Sequence, residues 1–384
     1  MTVGCVCAKR LEGGGLPALL DLSGPKAGAS SRTPNAPRQP AVRPGAPVGS
    51  GWRATLAVAL VAATLPAWSV SAAEASATSP NSSPPPAGIL KRTHCYKQVG
   101  DCRIQADVYR LAESTNCPAL VWVHGGALIT GNRASLRPQQ LQKYLNAGFS
   151  VISIDYRLAP ETKLKFIIDD LRDAFAWVRE RGPELAGIDP KRIAVVGHSA
   201  GGYLALTSGV CVEPRPRAIV SFYGYGDIAG AWYARPDPFY CQQPAVAKEE
   251  AWAAVGHGVI SETAAPERSR FYLYCRQNGL WPKEVAGHDP DKEPKAFDPF
   301  CPVRNVTKEY PPTLLLHGDK DTDVPYEQSV LMAKTLAGHG VEHDLITLTN
   351  RGHGFDGGRK AAEDPVIAET FDRVVAFLKQ HVSQ

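Results

Sequence analysis

A serine between small residues, in the segment 197–201 with the sequence GHSAG, constrains the fold of this chain most strongly. The mostly apolar run 192–196 before it predicts a buried strand, and the run 202–207 after it predicts a helix. A serine on a sharp strand-to-helix turn exposes its hydroxyl above the sheet, and glycines two residues away on either side let the strand and helix approach closely. We therefore predict that Ser199 is a nucleophile.

Apolar runs alternate with helical segments through most of the remaining chain. Strands are expected at 119–123, 150–154, 192–196, 218–222, 312–316 and 344–348, after an antiparallel pair at 94–99 and 103–111. Helices are expected at 138–147, 167–181, 326–337 and 367–381. This alternation is typical of the α/β class, with a mostly parallel central sheet and helices on both faces. It predicts one main domain over residues 89–384.

The alternation breaks at about residues 227–302, a mid-chain insertion rich in Trp, Tyr and Phe. The insertion leaves the carboxyl end of one strand, which is where ligands bind in open α/β sheets. We therefore expect it to be a cap over the substrate, called the cap insertion below. Tyr225, Trp232 and Tyr233 are the predicted pocket residues. The alternative is a peripheral subdomain with a small core of its own.

Residues 1–88 are predicted to be a leader, a signal peptide and a disordered linker, because they are rich in Ala, Gly, Pro and Ser without a usable period. Trp52-Arg53 precedes an apolar run that begins at Ala54, and small residues follow at 71–73. These features are typical of a secretory signal peptide cleaved near Ala73. The apolar run contains Pro66 and is shorter than the about 20 residues of a spanning helix, so no stable membrane anchor is expected after cleavage.

The predicted signal peptide lies far from Met1, and the only other methionine is Met332. We expect translation to start at a valine codon, at Val42 or Val48. Cleavage near Ala73 then yields a periplasmic or secreted protein. It removes seven of the 42 basic residues and two of the 38 acidic ones, which leaves a nearly neutral chain. Nothing in that balance indicates a nucleic-acid partner.

Seven cysteines follow the predicted cleavage site, and disulfides are expected in an exported protein. Cys95 and Cys102 flank a turn signal, which favours a bridge across a hairpin. Two of Cys241, Cys275 and Cys301 are a second candidate pair. No spacing resembles a zinc site, so no metal is expected.

A nucleophilic serine needs a base and an orienting carboxylate, which follow it in the order Ser, Asp/Glu, His in this kind of fold. His353, between glycines and after the last predicted strand, is the candidate base. Asp319, Asp321 and Asp323 compete for the acid, since all three follow the strand 312–316. We favour Asp321, four residues before the proline that begins the next helix. Asp319 is the candidate brace for the loop.

Backbone N–H groups must stabilise the negative charge that develops on a carbonyl oxygen during such an attack. Ala200, directly after the serine, supplies one candidate donor. Gly125, Gly126 and Ala127 follow the strand 119–123 and match a glycine-rich oxyanion loop. The alternative is a simple turn.

Five motifs occur in a characteristic order: HGGA at 124–127, YRLAPE at 156–161, GHSAG at 197–201, HGDKD at 317–321 and GHGF at 352–355. Together they resemble the carboxylesterase/lipase group of the α/β-hydrolase fold, which includes hormone-sensitive-lipase-like and feruloyl- or acetylxylan-esterase-like enzymes. Members close to hormone-sensitive lipase usually have a third glycine where Ala127 stands, and often an N-terminal helical cap.

The resemblance implies that the protein hydrolyses a carboxylic ester through an acyl-enzyme, without a metal or an organic cofactor. It implies a small-molecule or carbohydrate-linked ester as substrate. A serine peptidase of the prolyl-oligopeptidase type is the nearest alternative, although those enzymes usually carry a propeller domain for which this chain has no room. A binding protein on a hydrolase scaffold is the alternative from another class.

Overall fold

The computed structural model describes residues 88–263, 265–358, 361 and 363–383. The predicted leader, the signal peptide and nearly all of the linker lie outside the described residues. Within the described ranges, none of the helices combines the length and the apolar character that crossing a membrane requires.

One eight-stranded sheet forms the centre of the described chain. Its strands are β1 (Ile89–Val99), β2 (Cys102–Leu111), β3 (Cys117–Val123), β4 (Ser150–Ile154), β5 (Ile188–His198), β6 (Ile219–Phe222), β7 (Thr313–Gly318) and β8 (His343–Leu348). Their order across the sheet is β1-β2-β4-β3-β5-β6-β7-β8. Strand β2 is antiparallel to both of its neighbours, and all other neighbours are parallel. The predicted fold class is confirmed.

Helices cover both faces of the sheet, as the continuous apolar strands require. They are α1 (Pro138–Asn146), α2 (Leu164–Ala186), α3 (Ala200–Cys211), α4 (Ala231–Ala234), α5 (Lys248–Ala253), α6 (Arg268–Asn278), α7 (Trp281–Ala286), α8 (Glu327–Gly338) and α9 (Pro365–Val382). Adjacent residues of β5 are buried on opposite faces of the sheet. Val195 packs in the layer of α2, α3 and α8, and Val196 packs in the layer of α1 and α9.

The cap insertion lies between β6 and β7, in the region that contains α4 to α7. Arg268 attaches it to the body of the domain, since its guanidinium donates to the backbone oxygens of Ile129 and Ala159 and to the Glu161 carboxylate. Both members of this Arg268–Glu161 pair have nearly inaccessible side chains. The cap insertion therefore meets the domain through a buried, hydrogen-bonded ion pair.

The predicted hairpin disulfide is wrong, because Cys95 and Cys102 are both free. The β1–β2 register pairs Cys95 with Gln105 and Cys102 with Val99, so the two thiols are not cross-strand neighbours. The Cys95 thiol donates instead to the backbone oxygen of Lys97.

The second predicted disulfide is wrong as well, because Cys241, Cys275 and Cys301 are all free. Cys241 is exposed and its thiol contacts the backbone oxygen of Gln277, whereas Cys301 is buried against the Asp227 carboxylate. Packing places these thiols in different surroundings, which no spacing along the chain could indicate.

Candidate active site

Ser199 is the turn residue between β5 and α3. Its backbone has φ 55° and ψ −119°, a region that residues other than glycine rarely adopt. Steric crowding explains why glycine occupies the positions two residues before and two residues after Ser199. A Cβ on Gly197 would lie 2.0 Å from the backbone oxygen of Gly201, and one on Gly201 would lie 2.1 Å from that of Val123. The elbow predicted from the sequence therefore depends on contacts that only glycine permits.

His353 lies between Ser199 and Asp321. The Ser199 hydroxyl oxygen is 3.0 Å from His353 Nε2, and His353 Nδ1 is 2.7 Å from Asp321 Oδ2. Both distances are within hydrogen-bonding range. The three residues follow β5, β7 and β8, which are parallel and so end at the same edge of the sheet. The fold thus brings together three side chains that are far apart in the sequence.

The three candidate acids have different positions around His353. Asp321 contacts Nδ1, and its other oxygen accepts the backbone N–H groups of Asp323 and Val324. Asp319 accepts the backbone N–H of Asn350 at 2.6 Å and braces the loop. Asp323 lies on the opposite side of the imidazole, with Oδ2 3.5 Å from Nε2. Asp321 is therefore the acid that can orient His353 through Nδ1.

The surroundings of Asp321 and His353 favour the charged form of each side chain. Burial opposes ionisation of Asp321, but attraction to His353 and hydrogen bonds from His317 and His353 outweigh it and lower the pKa of Asp321. Burial also disfavours the charged form of His353, but Asp321 and Asp323 outweigh that effect and raise the pKa of His353 above its usual 6.5. The site can therefore accept and hold a proton on His353.

The predicted oxyanion residues Gly125, Gly126 and Ala127 line the same cavity as Ser199. A Cβ built on Gly125 would be 3.3 Å from the Cβ of Ser199. In the part of the chain that the structure describes, the backbone N–H groups of Gly125, Gly126 and Ala127 have no protein acceptor. Ala200 is the first residue of α3, so its N–H has no acceptor within the helix. These donors remain free for a ligand beside the serine.

Ala127 has φ 55°, a backbone conformation that glycine adopts without strain and alanine does not. Its backbone oxygen accepts a hydrogen bond of 3.0 Å from the Trp281 indole, which belongs to α7 of the cap insertion. The cap insertion thus holds the strained loop in place.

His124 supports the same loop and was not singled out from the sequence. Its ring is buried and stacks on Tyr156 with centroids 4.2 Å apart. Burial lowers the pKa of His124 to about 4, so the ring is neutral at physiological pH. Nδ1 lies 2.7 Å from the backbone oxygen of Gly125, which can only accept, so Nδ1 carries the proton. The neutral ring fixes the orientation of the Gly125 peptide.

A cavity of about 360 Å³ opens in front of Ser199 and His353. One side is formed by the oxyanion loop and the elbow, with Trp122, Arg137, Gln140, His198 and Tyr223. The other side belongs to the cap insertion, including Phe239, Tyr240, Pro266, Ser269, Tyr272 and Leu273. Among the described residues, no group of three or more His, Cys, Asp or Glu is placed to hold a metal ion.

The predicted pocket residues Tyr225, Trp232 and Tyr233 do not line this cavity, so that prediction was wrong. Trp232 stacks on Tyr233 with centroids 3.6 Å apart, and Tyr233 stacks on Trp281 at 4.2 Å. Tyr225 packs on Tyr203 of α3. Trp232 and Tyr233 belong to the cap insertion. Together with Tyr225 they form part of its buried aromatic core, where large rings gain most from burial.

Asp356 organises the floor of the cavity and was also missed. Its buried carboxylate accepts hydrogen bonds of 2.6 Å from the Tyr223 hydroxyl and from Gln140, and it pairs with Arg137 and His198. Burial opposes its ionisation, but His198, Arg137 and Tyr223 outweigh that effect and lower the pKa of Asp356. Its place directly after the GHGF segment was the only available signal in the sequence.

The fold and this site define the class of protein. Residues 120–357 match the sequence model of the family described as alpha/beta hydrolase fold. The match covers more than half of the 384 residues, so the chain belongs to the α/β hydrolase fold family. The family resemblance that the five motifs indicated is thereby confirmed.

Individual relatives are similar over the same region. The chain is 28% identical to the non-reducing polyketide synthase Preu6 of Preussia isomera over 68% of its own length and 13% of that protein. It is 30% identical to the esterase LipC of Mycobacterium tuberculosis, over 72% of this chain and 64% of LipC. It therefore spans less than two thirds of either relative.

Solved structures agree on the fold. An alpha/beta hydrolase superfamily protein from Enterococcus faecalis superposes with a TM-score of 0.60 at 24% identity, covering 76% of this chain and 99% of that one.

Proposed function

We propose that this protein is a serine hydrolase that cleaves carboxylic esters through an acyl-enzyme intermediate. The observation that carries the proposal is the continuous contact from Ser199 through His353 to Asp321, at the wall of a cavity beside free backbone donors. Family membership and the similarity to LipC, which is named an esterase, support ester cleavage.

The first half of the reaction forms the acyl-enzyme. His353 Nε2 takes the proton of the Ser199 hydroxyl as the oxygen attacks the ester carbonyl carbon. Asp321 holds His353 in the tautomer with the proton on Nδ1 and stabilises the imidazolium that forms. We assign stabilisation of the oxyanion to the N–H groups of Gly125, Gly126, Ala127 and Ala200. His353 then passes its proton to the leaving alcohol oxygen as the ester bond breaks.

The second half releases the acid. A water molecule gives a proton to His353 Nε2 and attacks the acyl carbon, and collapse of the oxyanion returns the proton to Ser199. No step in this sequence draws on a metal or an organic cofactor.

A cavity of limited volume, covered on one side by the cap insertion, favours a small ester over an extended peptide. Hydrolysis of p-nitrophenyl acetate alongside a chromogenic dipeptide tests this choice. We expect turnover of the ester, dependence on Ser199 and no turnover of the dipeptide. Turnover of the dipeptide alone would indicate the peptidase, and turnover of neither would indicate a binding protein.

Replacement of Ser199 by Ala tests the nucleophile. We expect kcat to fall on the order of 10³-fold or more, because the variant lacks the hydroxyl that contacts His353 Nε2. Stoichiometric labelling of the wild type, but not of this variant, by a fluorophosphonate provides a readout that does not depend on the substrate. Near-normal turnover by the variant contradicts the mechanism.

We further propose that the protein acts outside the cytoplasm after cleavage near Ala73. The composition and apolar run of residues 52–73 support this location. Expression of chains that begin at Met1, Val42 and Val48, followed by fractionation of the cells, tests both the export and the start. Retention of all three in the cytoplasm contradicts the proposal.

A further inference from the structure

A second carboxylate, that of Asp323, faces the reacting atoms from the side opposite Asp321. Its Oδ2 lies 3.5 Å from His353 Nε2, and its side chain lines the cavity. This carboxylate has no task in the proposed acyl transfer. Among the described residues that line the cavity, Asp323 is the one with a carboxylate side chain.

The cap insertion holds the other oxygen of this carboxylate. Asp323 Oδ1 accepts hydrogen bonds from the Tyr240 hydroxyl at 2.8 Å, the Tyr272 hydroxyl at 2.5 Å and Arg276 Nη1 at 2.8 Å. Arg276 is almost fully buried and is itself held by Asp237. Because Oδ1 is saturated with donors, the carboxylate is fixed in one orientation. Among the described residues, His353 Nε2 is the one polar group that Oδ2 faces.

Asp323 Oδ2 lies next to the nitrogen that must protonate the leaving alcohol. The donors of Gly125, Gly126 and Ala200 take the carbonyl oxygen, and His353 Nε2 must face the leaving oxygen to protonate it. Ser199 Oγ and Asp323 Oδ2 lie 3.0 Å and 3.5 Å from this same nitrogen. We infer that a leaving oxygen at Nε2 brings the nearest carbons of the alcohol portion within reach of Asp323 Oδ2.

We propose that Asp323 Oδ2 is a specificity-determining acceptor for a free hydroxyl on the alcohol portion, on the carbon next to the one that bears the ester. The preferred substrates are then partially acylated polyols and sugars. Among the described residues, Oδ2 accepts no hydrogen bond while His353 carries its proton on Nδ1, so a hydroxyl there supplies the missing donor. An apolar alcohol would instead desolvate that carboxylate oxygen without replacing its hydrogen bond, which is costly. This inference rests on the proposed ester hydrolysis.

Two butyrate esters that differ at one position test the proposal. The 2-hydroxyethyl ester presents a donor to Asp323, and the 2-methoxyethyl ester presents only an acceptor. We expect wild-type kcat/KM to favour the hydroxyethyl ester about tenfold or more, since hydrogen bonds to charged groups have that magnitude. The ratio is measured on one preparation, so it does not depend on the fraction of active enzyme.

Asp323→Asn makes the test sharper, because the three donors on Oδ1 must keep the amide oxygen at that end. The amide NH₂ then faces the cavity, where it offers a donor in place of an acceptor. We expect the preference to fall to about one or to reverse towards the methoxyethyl ester. Asp291→Asn, at an exposed position that pairs with Arg235, is the matched control and leaves the ratio unchanged.

The outcomes separate this inference from the proposed function. A wild-type ratio near one, with both esters hydrolysed, contradicts the inference alone. An unchanged ratio in Asp323→Asn, with both rates reduced alike, also contradicts it and leaves Asp323 with a structural role. Absence of hydrolysis of every ester by the wild type contradicts the proposed function, and this inference with it.

Discussion

Arg276 Nη1 and Asp323 Oδ1 lie 2.8 Å apart, so an ion pair joins α6 of the cap insertion to the loop that also carries Asp321. Arg276 lies within 6 Å of the centroids of four aromatic rings, Trp232, Tyr233, Tyr240 and Tyr272. Such contacts favour a guanidinium over an ammonium. The cap insertion and the candidate catalytic loop are thereby connected through one buried cation.

Arg276→Met should destabilise the protein by about 3–5 kcal/mol, because it leaves Asp237 and Asp323 without their buried counter-charge. Denaturant unfolding measures the change. Arg235→Met is the matched control, since Arg235 pairs with Asp291 on the surface and its loss should have a much smaller effect. Equal stabilities of the two variants would contradict the importance of the buried pair.

Asp321→Asn should lower kcat by about 10⁴-fold, because an amide favours the wrong tautomer of His353. Asp319→Asn, two residues away, should cost far less, since Asp319 accepts the backbone N–H of Asn350 and, unlike Asp321, does not bond to His353 Nδ1. Steady-state kinetics with p-nitrophenyl acetate compares the two. A larger loss in Asp319→Asn would show that Asp319, and not Asp321, orients His353.

The pH dependence of kcat/KM should have an acidic limb set by His353. The groups that face its ring are Asp321, Asp323, Asp356, Tyr223 and Ser199. Only the neutral imidazole can take the serine proton, so activity is lost as the pH falls through the His353 pKa. Burial opposes protonation, but the surrounding carboxylates outweigh it and raise that pKa, which moves the limb to higher pH.

Asp323→Asn removes one of these negative charges and should move the acidic limb to lower pH. Rate profiles from pH 5 to 9 with a neutral ester measure the shift. The exposed variant Asp291→Asn should leave the limb in place. A limb that does not move in Asp323→Asn would mean that the carboxylate does not act on His353.

Phe239→Ala should change the preference among esters by about 1–3 kcal/mol, because Phe239 lines the cavity from the cap insertion. Tyr233→Ala should instead lower stability by about 3–5 kcal/mol and leave the ranking of esters unchanged, since Tyr233 is buried between Trp232 and Trp281. The measurements are kcat/KM over short, medium and aromatic esters, and thermal unfolding. A change of ranking in Tyr233→Ala alone would restore the pocket role predicted from the sequence.

The sequence by itself determined the parts of this protein that depend on near neighbours in the chain. The apolar runs specify the strands, because a strand buried on both faces consists mostly of apolar residues. Glycine is required at 197 and 201 because a Cβ at either position would lie about 2 Å from a backbone oxygen. The turn at Ser199 can therefore be predicted from five residues.

Only the tertiary structure decided matters that depend on distances between remote segments. It placed Asp321 on Nδ1 and Asp323 on the opposite side of His353, although both follow the same strand. It also buried Tyr233 in the cap insertion, where the sequence suggested a pocket. The physical reason is that spacing along the chain limits which loops share an edge of the sheet, whereas packing and the available hydrogen-bond donors determine where each side chain points.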